Sequence, residues 1–135
     1  MSTTPTLSEY LLLFRNNAWY HDLSPGEIEE AMKRFTAWFE KLNREGKYKS
    51  SAPLAAAGKT ITSQHMVTDG PFAESKEAVA GFFVVQARSL DEAVEIAKGC
   101  PGLEYGQTVE VRAFAVDAFE NEKARVKAGQ GDSGF

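Results

Sequence analysis

The sequence predicts an α+β domain of order β-α-β-β-α-β, with an antiparallel sheet carrying both helices on one face. Three observations predict it. The runs Tyr10 to Phe14, YLLLF, and Ala78 to Ala87, AVAGFFVVQA, are short and dense in Leu, Val and Phe, as buried strands are. The segments SPGE, beginning at Ser24, and SLDE, beginning at Ser89, are capping boxes that each open an amphipathic helix. The stretch Thr108 to Val116 alternates Val109, Val111, Ala113 and Ala115 with Glu110, Arg112 and Phe114, the period of a half-buried strand.

The elements follow in order from local chemistry. Strand one ends at the polar trio Arg15, Asn16 and Asn17. Pro25 takes the first helical position, where its missing N–H costs nothing. Ile28, Met32, Phe35, Phe39 and Leu42 then form one apolar stripe at helical period, and Gly46 stops the helix. Ser50 to Gly58 is small and partly apolar, and Lys59 to Gly70 mixes β-branched residues with turn formers, which predicts short strands around a turn. In the strand that follows, Gly81 marks a bulge. Ala93, Ile96 and Ala97 share one face of the second helix, which Gly99 and Pro101 terminate.

With 135 residues, 43% apolar and 25% charged, the chain is expected to form one domain over residues 1–119. Glu120 to Phe135 is polar and glycine-rich and is expected to be a tail. A lone Cys100 excludes an internal disulfide, and with no long apolar run and no basic N-terminal leader the chain is expected in the cytoplasm, away from membranes. Fifteen basic residues against 19 acidic ones give a net charge of -4, which disfavours a broad nucleic-acid surface. The basic segment Lys41 to Lys49 suits a solvated helix end. His21, His65 and Cys100 lack the clustered spacing of a metal site, and no phosphate loop or dinucleotide fingerprint is present, so neither a metal nor an organic cofactor is expected. Helices on one sheet face leave the other face open, and a second copy of the chain is its simplest cover: a homodimer is expected.

At Val67 to Val85, VTDGPFAESKEAVAGFFVV, the chain resembles the DGPF (YCII-related) family, and the similarity extends through most of Tyr10 to Val116. The resemblance implies a ferredoxin-like fold in the group of dimeric α+β barrels, where small ligands bind a cleft between sheet and helices. Some relatives are encoded beside extracytoplasmic-function sigma factors, which implies a noncatalytic regulatory or interaction module as the alternative to a small-molecule binder. Shorter relatives carry a His on the first helix and an Asp before the proline that follows the second. Here those positions hold Phe35 and Cys100, so that acid–base pair does not carry over and the existence of an enzymatic activity stays open.

The candidate ligand-binding residues are Asp69, His65, Phe72, Glu74, Lys76 and Arg112, grouped around a cleft at the DGPF turn and suited to a small polar metabolite. Each has a structural alternative. Asp69, Gly70 and Pro71 suit a tight turn. Glu110 and Arg112, two apart on a strand, face the same way and suit either an anion site or an ion pair. His65 and His21 are the two imidazoles that could serve as acid or base, and each is as well explained as a surface residue. Cys100 follows a helix and so lacks the activation that a helix N-terminus gives a thiol.

Overall fold

The computed structural model describes residues 6–55, 57–69 and 78–115. Along them run β1 (Ser8–Arg15), α1 (Pro25–Arg44), β2 (Tyr48–Pro53), β3 (Lys59–Ile61), β4 (Val67–Asp69), β5 (Val79–Ala87), α2 (Leu90–Ala97), a short 3-10 helix (Pro101–Tyr105) and β6 (Thr108–Ala113). The main sheet has the order β2-β5-β1-β6, entirely antiparallel, and β3 and β4 pair separately. This is the expected split βαβ arrangement, with a β3–β4 hairpin inserted before β5. The motif residues Gly70 to Glu77, and the expected tail, lie outside the described residues.

The caps act much as the sequence implies. Ser24 accepts from the Glu27 N–H at 3.1 Å while the Glu27 carboxylate accepts from the Ser24 N–H at 2.9 Å. At α2 only the forward half of the box forms: Ser89 accepts from the Glu92 N–H, but the Glu92 carboxylate turns to the Arg88 N–H and guanidinium. A charge-assisted bond to arginine outcompetes the neutral amide of Ser89. Gly46, at φ +72°, takes the left-handed position that ends α1.

The buried face of α1 differs from the expected stripe. Ala31, Trp38 and Leu42 are buried and Phe35 packs beside them, whereas Met32 is 44% exposed. Both sets have helical period and share Phe35 and Leu42. The sheet selects the Ala31–Trp38 line because the indole fills a space bounded by Phe14 and Phe83, stacked on Phe83 at 4.8 Å between ring centroids and edge-on to Phe14 at 6.2 Å. Tyr10, Leu12 and Phe14 of β1 and Val85 and Ala87 of β5 complete the core with Ala93, Ile96 and Ala97 of α2. Leu12 and Val85 have no exposed surface.

The opposite sheet face carries Leu11, Leu13, Phe82 and Val84, paired across β1 and β5 as Leu11 with Val84 and Leu13 with Phe82, all half-buried. Glu110 and Arg112 of β6 lie beside Leu13 and Leu11 on that face. Among the described residues no helix is long and apolar enough to cross a membrane.

Candidate functional site

Beside Met32 and Phe35 of α1, the cleft is lined by small residues of the sheet: Ser51, Ala52 and Pro53 at the end of β2, and Ala80 and Gly81 at the start of β5. Large side chains on the helix lie beside small ones on the strands, yet the layers do not close there. Gly81 approaches β2 so tightly that an added Cβ would lie 2.9 Å from the Ala52 carbonyl oxygen, which fixes the strand spacing. What remains is a part-open cleft of about 230 Å³, lined by Phe14, Phe82, Phe83, Phe35 and Trp19 and by the exposed Met32.

Trp19 belongs to the loop after β1, and Asn16 sets that loop. Asn16 adopts φ +81°, a left-handed conformation that asparagine tolerates, and its backbone N–H donates to the Ala78 carbonyl at 2.9 Å. Its side chain donates to the Gly106 carbonyl at 3.1 Å and accepts from the Ala18 N–H at 3.2 Å. The chain therefore leaves β1 tied to the Gly106 corner, and the Trp19 ring comes to rest 5.8 Å from Phe35 and 5.7 Å from Tyr105. Arg34 secures the same corner to α1 by pairing with Glu104 at 2.6 Å and donating to the Tyr105 hydroxyl at 3.2 Å, and its guanidinium holds the Glu104 carboxyl below the usual carboxylate range.

The cleft has two polar side chains among its described lining residues, Ser51 and Gln107. The Ser51 hydroxyl is paired with the Tyr48 hydroxyl at 2.7 Å. Gln107 is 5% exposed; its Nε2 reaches the Asn16 carbonyl at 3.5 Å, and its Oε1 is buried without a hydrogen-bond partner. Gly102 makes room for this amide, since an added Cβ would collide with Oε1 and stand 3.1 Å from the Phe35 ring. No titratable side chain is among the described lining residues, so the cleft wall they form offers no carboxylate or imidazole to give or take a proton.

The structure distributes the sequence candidates elsewhere. His65 is exposed in the turn of the β3–β4 hairpin at φ +61°, with its N–H donating to the Thr62 carbonyl at 2.9 Å, a turn role. Asp69 is the last residue of β4, opposite Lys59. Phe72, Glu74 and Lys76 lie outside the described residues. Arg112 sits on the sheet face opposite the helices and pairs with Glu110 at 3.1 Å, while Arg15 pairs with the same carboxylate at 3.0 Å. Those two guanidinium groups, Arg15 first, hold the Glu110 carboxyl below its usual range. The ion-pair alternative thus describes Arg112, and neither it nor His65 lines the cleft.

Phe35 lines the cleft, whereas Cys100 is buried in the core. Contrary to the sequence expectation, Cys100 does stand at a helix N-terminus, as the residue before the 3-10 helix. Burial dominates all the same: it pushes the thiol up to about 11, against smaller opposing effects of the Gly102 and Leu103 N–H groups. Gln107 had no sequence signal, because a glutamine just before a strand suits a solvated turn equally well.

A ferredoxin-like α+β domain with a small apolar cleft between its first helix and its sheet is the class that fold and site define. The family model for the YCII-related domain matches residues 12–115, and the chain belongs to that family. It is 36% identical over 87 residues to an uncharacterised protein of Rhizobium meliloti (strain 1021), covering 61% of this chain and 67% of that one. A solved structure, 5-chloro-2-hydroxyhydroquinone dehydrochlorinase from Burkholderia phenoliruptrix AC1100 in complex with 2,5-dihydroxybenzoquinone, is similar at a TM-score of 0.45 and 18% identity, over 78% of this chain and 92% of that one.

Proposed function

We propose that the protein is a cytoplasmic homodimer that binds a small, mainly apolar molecule in the cleft between α1 and the sheet. The observation that carries this is the cleft itself: about 230 Å³ lined by aromatic rings, Met32 and small strand residues. Its size lies between the roughly 150 Å³ apolar cavity that takes up benzene and the ~300–1,000 Å³ pockets of drug-sized ligands. The DGPF motif ends one residue before Ala78 in the sequence, and β5 then brings Ala80 and Gly81 to the cleft wall. Recognition without acid–base chemistry agrees with Phe35 standing where shorter relatives carry histidine.

The dimer half of the proposal is supported by the apolar set Leu11, Leu13, Phe82 and Val84 on the sheet face away from the helices, bordered by the Arg15–Glu110–Arg112 pairs. An apolar centre with a charged rim is the anatomy of a protein interface. Light scattering over a concentration series checks it: wild type is expected at twice the chain mass and Leu13→Glu at one chain mass. A monomeric wild type would remove the dimer.

For the cleft, the test is a titration with one-ring neutral compounds followed by thermal shift. Wild type is expected to gain stability, and Met32→Trp, which crowds the exposed mouth without touching the core, is expected to lose that gain. Equal gains in both proteins would place the binding elsewhere.

A further inference from the structure

We infer that Gln107 is the polar recognition group of the cleft, which takes an uncharged, one-ring-sized molecule carrying an O–H or N–H donor for the Gln107 Oε1. This rests on the cleft being a binding site and names the chemistry of its ligand. Buried acceptors without partners are rare and costly, and Oε1 is the buried side-chain atom that lacks one among the described residues. A methionine would fill the same space with no acceptor to satisfy, so packing alone does not explain glutamine at 107.

The surroundings place the amide at the edge of the cleft. Nε2 is directed to the Asn16 carbonyl, Gly102 leaves space that any larger residue would close, and the Phe35 ring that lines the cleft stands against the same glycine. Oε1 is closed off behind these groups, so a ligand donor reaches it as the terminal amide turns and Nε2 gives up its long bond to the Asn16 carbonyl. That torsion has a broad energy profile, and the 3.5 Å bond to Asn16 restrains it weakly. Charge is excluded because the described lining offers no ion to pair with a buried one. A single ring follows from the volume, and a donor follows from an acceptor left over.

Phenol and toluene have nearly the same shape and differ in the one donor. Their dissociation constants are measured by NMR titration on wild type and on Gln107→Met, with the Gln107 side-chain amide signals followed in wild type. The preference for phenol over toluene is expected to fall roughly tenfold in Gln107→Met, because the partner of the hydroxyl is gone. Phenol, and not toluene, is expected to shift the Gln107 amide signals. An unchanged preference, or equal amide shifts with both probes, overturns the inference while leaving the cleft as a binding site; a water satisfying Oε1 would give this result. If neither probe binds, the cleft reading fails and the inference with it. Should Gln107→Met fail to fold, the wild-type amide shifts decide alone.

Discussion

Replacing Gln107 by methionine is expected to stabilise the unliganded protein. Oε1 is buried without a partner, and relieving an unpaired acceptor is worth about 1–3 kcal/mol. The loss to set against this is the Nε2 bond to the Asn16 carbonyl at 3.5 Å, the outer edge of hydrogen-bond geometry. Such a bond contributes roughly 0.5 kcal/mol. Methionine is unbranched and adapts to the space beside Gly102 and Phe35. The net gain is about 1 kcal/mol, or ~3 °C in Tm for a domain of this size. Urea denaturation at fixed protein concentration measures it as a higher midpoint with unchanged slope. A midpoint lowered by a corresponding amount would refute the reasoning, because it would mean the amide holds the Asn16–Gly106 corner together and owes its presence to stability.

Asn16→Ala removes two side-chain hydrogen bonds and puts alanine at φ +81°, for an expected loss of about 2–3 kcal/mol in chemical denaturation; Asn16→Gly, which relieves the backbone, is expected to lose less. Trp38→Ala empties the space bounded by Phe14 and Phe83 and is expected to cost about 3–5 kcal/mol in the same assay. For Cys100 the folded thiol titrates at about 11 against an ordinary value of 9.0, so the unfolded chain releases its proton first as pH rises. The contribution of Cys100 to stability is therefore complete below 9 and is lost between about 9 and 11. A Cys100→Ala variant is expected to show a flatter fall over that window, and folded wild type is expected to resist thiol reagents at neutral pH.

Most of the fold was legible because its signals are local. Ser24, Pro25 and Glu27 form a cap wherever they occur at a helix start, and YLLLF has too little polar character for a surface. The face of α1 was harder: Ile28–Met32–Phe39 and Ala31–Trp38 are both periodic, and only the position of Phe14 and Phe83 across the layer decides for the tryptophan. A cleft between sheet and helices was implied by the family resemblance, but its lining was not legible in the residues. It arises where small residues at 51–53 and 80–81, far apart in the chain, come together beside Met32 and Phe35, a relation that exists only once β2 and β5 have paired. Gln107 became visible only through its burial, and the charged candidate Arg112 proved to belong to the other side of the sheet. Alternation put Glu110 and Arg112 on one face and offered their ion pair, but it could not show that Arg15 of β1 would share the Glu110 carboxylate.

A crystal structure of the protein soaked with phenol tests ligand recognition in the cleft most directly. The expected result is a ring between Phe35 and Phe83 with its hydroxyl within about 3.0 Å of the Gln107 Oε1. Density for phenol only outside the cleft, with the cleft unchanged, would contradict it.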